Sequence, residues 1–297
     1  DRALRDVADA LVRAAEGTGF FYAANHGIDQ TTIDAMFAAA EAFFALPSDE
    51  KRTVAVNKYH RGFIRVGEAK MYASAKVDLK ESFVWGLDVE ADDPDHLAGN
   101  PMIGPNRWPA AMPEMRARLV AYMDDCNKLG IRLLRAFATS LGIERDYFVH
   151  RFDRPISRGS LIYYPPQDPD MGADQFGVAP HTDYGCLTLL YQDGTGGLQV
   201  KGQDGDWIMA PPIPGTFVVN VGDLLARWTN DRFASTPHRV VNASGRARYS
   251  VALFVDPNHD TMIDPVLAPG QAAHYPPVTC AEHILGRYNQ SFAYRKS

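Results

Sequence analysis

The sequence predicts a mixed α and β fold in which helices flank an antiparallel β core. Three observations lead to this fold class. The first half of the chain carries apolar residues at the helical period, whereas from about Ser160 short apolar or β-branched runs alternate with Gly, Pro, Asn and Asp. The tail then returns to a helical stretch without Pro. Many short strands with closely spaced turns are typical of an antiparallel sandwich or barrel, including the double-sheet jelly roll.

Three helices are predicted in the first half. The first covers residues 4–15 and ends at Gly17, where the helical pattern stops. The second covers residues 33–44 and stops near Pro47, and the third is a long helix over residues 113–141. Each carries an apolar stripe, so we expect these helices to pack on the β core.

The remaining elements complete a single domain. The aromatic stretch 20–28 predicts a strand, Asp204-Gly205 predicts a β-hairpin turn, and Thr279 is the predicted cap of the C-terminal helix. Because no Pro/Ser-rich linker divides the chain, we expect one domain over residues 1–297. Its predicted parts are a mainly helical N-terminal region (1–158), a β core that holds the functional site (159–258) and a C-terminal helical segment (259–297).

Composition and charge exclude several classes of partner. The net charge is −6 without a basic block, which argues against nucleic acid or an anionic membrane, and no apolar run reaches the length of a membrane span. Cys126, Cys186 and Cys280 lie far apart and form neither a disulfide framework nor a metal clip, which fits a reducing compartment. We therefore expect a cytoplasmic protein that acts on a small molecule as a monomer or weak homodimer.

A His-x-Asp pair at His181 and Asp183 is the first chemical motif. Residues two apart on a strand point to the same face, so both side chains could reach one metal ion. An isolated pair of this kind is weak support, since a hydrogen-bonded polar pair at a strand end explains it equally well.

A third ligand strengthens the metal interpretation. His238 begins a β-prone run in the same predicted core, and several strands fit between it and His181. Two imidazoles and one carboxylate on one face of an ion form the facial triad of non-haem Fe(II) oxygenases, which leaves the opposite face open. A structural zinc site has less support, because no second cysteine pairs with Cys186.

Arg248 and Ser250 suggest how an anionic cosubstrate is held. The two residues share a strand face, and the planar fork of arginine binds a carboxylate while a serine hydroxyl adds one donor. Alone, Arg248 would be better explained as a surface arginine in a salt bridge. Beside a triad, it can anchor the far end of a dicarboxylate that chelates the metal.

Taken together, these motifs resemble the iron- and 2-oxoglutarate-dependent dioxygenase superfamily, specifically its isopenicillin N synthase-like branch. The family pattern is His-x-Asp, a distal His often followed by Arg-Val, and then Arg-x-Ser. It is matched by HTD at 181–183, HRV at 238–240 and RYS at 248–250. The similarity extends over nearly the whole chain, from GTGFFYAANHGI through KVDLKESFVWG to the C-terminal YPPVTCAEHILGRYNQSFAYR.

The resemblance implies a double-stranded β-helix (jelly-roll) core and an oxygenase that uses Fe(II), 2-oxoglutarate and O₂. Decarboxylation of 2-oxoglutarate to succinate would be coupled to hydroxylation, desaturation or cyclisation of a small molecule, such as an amino acid. The residues that it assigns are His181, Asp183 and His238 for the metal and catalysis, and Arg248, Ser250 and Tyr164 for 2-oxoglutarate.

The resemblance also suggests residues for the substrate pocket. Phe254 has a further argument, because it shares the strand face of Ser250. The polar members of the set favour a small polar substrate. The suggested residues are Arg61, Phe63, Glu68, Phe83, Phe254, Arg287 and Phe292.

Three alternatives stay open at the level of sequence. One is an Fe(II)/O₂ oxidase of the isopenicillin N synthase type, which needs no 2-oxoglutarate. Another is an ethylene-forming enzyme or a related radical-fragmentation enzyme. The last is a metal-binding jelly-roll module without catalysis, which a complete triad with an adjacent anchor disfavours.

Overall fold

A computed structural model describes residues 2–68, 78–167, 175–242 and 244–291 of the chain. Its helices are α1 (Arg2–Gly17), α2 (Gln30–Ala45), α3 (Ser48–Arg52), α4 (Pro94–Leu97), α5 (Met115–Leu141), α6 (Asp223–Trp228) and α7 (Cys280–Ser291), with a 3₁₀ turn at Val149–Arg151. Its strands are β1 (Phe20–Ala23), β2 (Gly62–Ile64), β3 (Glu81–Gly86), β4 (Arg158–Tyr164), β5 (Val178–His181), β6 (Leu187–Gln192), β7 (Leu198–Lys201), β8 (Trp207–Met209), β9 (Phe217–Val221), β10 (His238–Val240), β11 (Arg248–Val255), β12 (Met262–Ile263) and β13 (Val278–Thr279).

Two antiparallel sheets form the centre of the fold. The larger has the strand order β1-β9-β6-β11-β4-β3-β2, and the smaller has the order β5-β10-β7-β8. Their inner faces meet in one buried cluster, to which Val218 and Ala252 contribute from the larger sheet and Leu198 and Val240 from the smaller. The predicted mixed α and β fold class is therefore confirmed.

Strand alternation in β11 separates the apolar core from the functional site. Val251 and Leu253 face the cluster built with α2 and α5, where Phe43 and Phe137 are also fully buried. The alternate residues of β11 face the smaller sheet, and they begin with Arg248. The long helices thus cover one face of the larger sheet and leave the other for chemistry.

The helices begin and end for local reasons that the sequence shows. Asp29 accepts the Thr31 amide at the start of α2, and Gly142 adopts φ 72° to end α5. At α7, the Thr279 hydroxyl accepts the Glu282 amide over 3.2 Å, while the Glu282 carboxylate accepts the Thr279 amide over 2.9 Å. This reciprocal capping box confirms the predicted cap.

The strand expected over residues 20–28 ends early. It stops at Ala23 because Asn25 and Gly27 adopt positive φ values of 51° and 74°, which break an extended backbone. The strands β2 and β3 were not predicted, and both extend the larger sheet from the N-terminal half. Within the described ranges, no helix combines the length and apolar character needed to cross a bilayer.

Candidate metal and cosubstrate site

Three metal-ligand side chains converge where β5 and β10 pair. His181 and His238 are register partners, and their ring centroids lie 4.3 Å apart. The Asp183 carboxylate reaches both, with oxygens 3.8 Å from His181 Nε2 and 3.7 Å from His238 Nε2. All three ligand atoms lie within 4.8 Å of one another, so this donor set fits a single divalent ion of the facial-triad type.

Both imidazoles are oriented through their Nδ1 atoms. His181 Nδ1 lies 2.8 Å from the Ala179 carbonyl oxygen, and His238 Nδ1 lies 3.2 Å from that of Thr236. A carbonyl only accepts, so each Nδ1 carries the proton and each Nε2 presents a lone pair to the metal. Burial, followed by the charge of His238, lowers the pKa of His181, which favours the neutral form that binds metal.

Asp183 reaches the triad from outside the strand, which corrects the expectation that strand alternation aims it. The strand β5 ends at His181, and Asp183 lies in the following connection. Its direction comes from hydrogen bonds: Oδ2 accepts from Thr188 Oγ1 over 2.6 Å and from Asn220 Nδ2 over 2.7 Å. Burial raises the pKa of Asp183, but the two imidazoles and these donors outweigh it and the pKa is lowered.

The connection that carries Asp183 is fixed on two sides. On one side, the backbone amides of Asp223 and Leu224 donate to the carbonyls of Asp183 and Gly185 over 2.7 and 3.0 Å. On the other, the Asp256 carboxylate accepts the Cys186 amide over 2.8 Å. Gly185 is required here, because a Cβ atom would lie 2.0 Å from Asp256 Oδ1. Burial raises the pKa of Asp256 to about 6.

Arg248 is a fully buried cation with only neutral acceptors around it. Its guanidinium donates to the Gly196 carbonyl, the Ser250 hydroxyl and the Gln192 side-chain oxygen over 2.6, 3.1 and 3.0 Å. It also lies 4.7 Å from the centroid of the Tyr164 ring. Among the described residues, no carboxylate lies within 4.0 Å of it. A buried charge is costly without a counterion, so this position favours an anionic ligand.

One cavity of about 80 Å³ joins this cation to the triad. Its lining includes His181, Asp183 and His238 at one end, and Arg248, Ser250 and Tyr164 at the other. A dicarboxylate that binds a metal through one end can therefore meet the arginine fork with the other. The structure brings together all six residues that the sequence assigned to metal and 2-oxoglutarate.

A second cavity of about 90 Å³ adjoins the triad. It shares Lys80, Ile162 and Phe254 with the first cavity, together with His181 and Asp183. Its remaining lining residues are His60, Ile64, Ser82, Val84, Arg158, Ser160, Thr182 and Tyr184.

Of the residues suggested for the substrate pocket, Phe254 lines this cavity. Phe63 and Phe83 instead belong to the apolar core, where they pack on Phe43 with ring centroids 5.9 and 4.8 Å away. Arg61 is buried and donates to backbone carbonyls, including that of Met102 over 3.1 Å. Phe63 and Phe83 therefore have structural partners away from the described cavity lining, whereas Arg61 also donates to the carbonyl of His60, which lines the cavity.

Glu68 and Arg287 each have an ion-pair partner. Glu68 pairs with Arg65 over 2.8 Å near the surface. Arg287 pairs with Asp223 over 2.8 Å and also contacts two residues of the cavity lining: its Nη2 donates to Thr182 Oγ1 over 3.3 Å, and its guanidinium carbon lies 4.7 Å from the centroid of the Tyr184 ring. Phe292 lies outside the described residues.

The cavity contains two cations that the sequence analysis did not select. Arg158 shares the inward strand face with Tyr164, so counting back in steps of two from the YYPP motif would have found it. Lys80 lies just before β3, a strand that was not predicted, and so carried no comparable signal.

Comparisons with known families agree with this geometry. The 2OG-Fe(II) oxygenase superfamily matches residues 157–257, a range that contains all six metal and cosubstrate candidates. The N-terminal family described as non-haem dioxygenase in morphine synthesis matches residues 1–111.

Individual proteins are similar over most of their length. The chain is 34% identical to the 2-oxoglutarate-Fe(II) type oxidoreductase hxnY of Emericella nidulans, over 95% of this chain and 85% of that protein. It is 35% identical to the homoarginine-6-hydroxylase 2-ODD-233 of Oryza sativa subsp. japonica, over 98% and 91%. The crystal structure of a full-length Neurospora crassa protein in complex with alpha-KG and thymine superposes with a TM-score of 0.85 at 32% identity, covering 96% of this chain and 91% of that one.

Proposed function

Because the chain belongs to the 2OG-Fe(II) oxygenase superfamily and is a non-haem iron 2-oxoglutarate-dependent dioxygenase, we propose that His181, Asp183 and His238 bind its Fe(II). Arg248, Ser250 and Tyr164 hold 2-oxoglutarate at the other end of the same cavity. The observation that carries this assignment is the fully buried Arg248, which has no carboxylate partner among the described residues and shares a cavity with the triad.

The protein residues supply position and charge. His181 and His238 offer neutral Nε2 donors, and Asp183 adds one negative charge held by Thr188 and Asn220. When bound, Fe(II) with 2-oxoglutarate and O₂ supplies the oxidation that converts 2-oxoglutarate to succinate and CO₂ and hydroxylates a substrate C–H bond.

The distal part of the cavity selects a dicarboxylate. The Arg248 fork and the Ser250 hydroxyl donate to the carboxylate far from the metal, while the Tyr164 ring supports the guanidinium. The apolar walls, which include Leu190 and Val240, exclude water around this pair and strengthen it.

The substrate is a small polar molecule. An amino acid is supported by the similarity to a homoarginine hydroxylase, and a nucleobase is the other candidate because the similar Neurospora crassa protein has been crystallised with thymine. The monomeric or weakly dimeric state, the cytoplasmic location and the three-part division of the domain stay predictions.

The direct test is formation of succinate from 2-oxoglutarate by the purified protein with Fe(II) in air. We expect slow succinate formation that depends on Fe(II) and is stimulated by the correct small molecule. Product formation without 2-oxoglutarate, and without succinate, would instead support the oxidase alternative.

A further inference from the structure

Two cations line the cavity in front of the triad, and each comes from a different wall. Arg158 lies at the start of β4, and Lys80 lies just before β3. We propose that the substrate is a small carboxylic acid and that Arg158 binds its carboxylate, with Lys80 adding positive potential. This proposal rests on the function proposed above and names the substrate class of the same site.

The plane of Arg158 is held by aromatic rings. Its guanidinium carbon lies 4.4 Å from the centroid of Phe254 and 4.8 Å from that of Tyr288, and Nη1 donates to the Tyr288 hydroxyl. These rings orient the guanidinium, whose planar fork of N–H donors matches a carboxylate. Arg158 also shares the inward face of β4 with Ser160 and Ile162, so the fork belongs to the cavity wall.

Acidic partners of these cations lie behind the wall. Lys80 Nζ lies 3.5 Å from Asp78 Oδ2, and Asp78 is 1% exposed. The positive charge of Arg158 favours the ionised form of Asp256, and Asp256 is 4% exposed. Neither aspartate lines the cavity, and among the described lining residues the only acidic one is Asp183, a proposed metal ligand. Apart from the triad, the charged side chains among the described lining residues are therefore the cations Arg158 and Lys80, which suits an anionic substrate.

The rest of the lining fits a carboxylic acid with an apolar body. Ile162 and Phe254 lie next to the triad and supply an apolar surface, so the carbon skeleton can rest there while its carboxylate points to Arg158. The balanced reaction is R–H + 2-oxoglutarate + O₂ → R–OH + succinate + CO₂. One oxygen atom enters the substrate, one enters succinate, and the carboxylate of the substrate is unchanged.

Matched acid and amide pairs test the proposal. The probes are L-homoarginine, indole-3-acetic acid and benzoic acid, each with its primary amide, together with thymine as a neutral ring. Binding is measured without O₂ in two ways: by perturbation of the visible band of the Fe(II)/2-oxoglutarate protein, and by equilibrium dialysis of labelled probe against the protein without iron. The variants are Arg158→Gln and Arg158→Lys, and Arg52→Gln is the control because Arg52 is exposed and outside both cavities.

We expect at least one acid to bind about 10-fold or more tightly than its amide, the size of a charge-assisted hydrogen-bonded pair. Arg158→Gln should remove most of that preference, Arg158→Lys should keep part of it, and Arg52→Gln should keep all of it. The proposal is overturned if no acid binds, if an amide or thymine binds as tightly as the best acid, or if Arg158→Gln keeps the preference. Failure of the proposed function gives a different result, because the visible band of the Fe(II)/2-oxoglutarate protein would then be absent. Equilibrium dialysis would still show whether the protein binds the acid more tightly than the amide.

Discussion

His181 and His238 lie opposite each other on adjacent antiparallel strands, with ring centroids 4.3 Å apart. The pairing of β5 with β10 therefore creates two thirds of the metal site directly. Asp183 completes it from a connection that hydrogen bonds hold in place. The metal site thus depends both on strand register and on a small buried polar network.

Replacement of Asp183 tests the ligand set. We expect Asp183→Ala to lose Fe(II)-dependent succinate formation, because two imidazoles alone leave the ion without its anionic ligand. Asp264→Ala, at an exposed aspartate, serves as the control and should retain it. Full succinate production by Asp183→Ala would refute the ligand assignment.

Replacement of Arg248 tests the anchor. We expect Arg248→Ala to raise the apparent KM for 2-oxoglutarate by about 100-fold or more, since losing one partner of a buried ion pair costs about 3 kcal/mol or more. Arg248→Lys keeps the charge but loses the planar fork of donors, so its KM for 2-oxoglutarate should lie between those of the wild type and Arg248→Ala. The measurement is the 2-oxoglutarate dependence of succinate formation, and an unchanged KM in the alanine variant would place the anchor elsewhere.

The donors to Asp183 should tune metal affinity. In Asn220→Ala or Thr188→Val, one hydrogen bond to Asp183 Oδ2 is removed. We expect each change to weaken binding by about 10- to 100-fold, the usual effect of losing a partner of a metal ligand. Titration with Mn(II) followed by electron paramagnetic resonance measures it. Affinities equal to wild type in both variants would mean that the network has no part in holding the ligand.

Asp256 should make stability depend on pH. Burial raises its folded-state pKa from 3.8 to about 6, so the folded protein binds more protons than the unfolded chain between these values. The contribution of Asp256 to the free energy of unfolding is therefore greatest below pH 4. It falls by about 3 kcal/mol as the pH rises through 6. Asparagine does not titrate. Between pH 4 and 7, the free energy of unfolding of the wild type should therefore fall by about 3 kcal/mol relative to that of Asp256→Asn.

Urea unfolding of the metal-free protein at several pH values checks this expectation. The Asp264→Asn variant, at an exposed position, is the control. The difference between its free energy of unfolding and that of the wild type should stay constant across the pH range. A constant difference between wild type and Asp256→Asn across the range would show that Asp256 ionises normally in the folded protein.

Much of the site could be predicted from the sequence because strand alternation and motif spacing are local. His181, His238, Arg248 and Ser250 lie on strands, and each faces the cavity as expected. Asp183 was correctly chosen for a partly wrong reason, since backbone and side-chain hydrogen bonds outside the strand aim it.

The substrate pocket was harder to predict because it depends on how distant elements pack. Phe63 and Phe83 are on strands whose existence the helical interpretation of the first half did not include, and both face the core. Lys80 lines the cavity from a position just before β3, the strand that pairs with β4. Aromatic content and charge could not show which side of these strands faces the metal.

The most direct test of the central claim is an anaerobic visible spectrum of the metal-free protein titrated with Fe(II) and 2-oxoglutarate. We expect a metal-to-ligand charge-transfer band that requires both additions, saturates at one iron per chain, and is lost in Asp183→Ala. The Arg248→Ala variant should need far more 2-oxoglutarate to reach it. Absence of the band with iron and 2-oxoglutarate in excess, or an unchanged band in Asp183→Ala, would contradict an Fe(II)/2-oxoglutarate site at these residues.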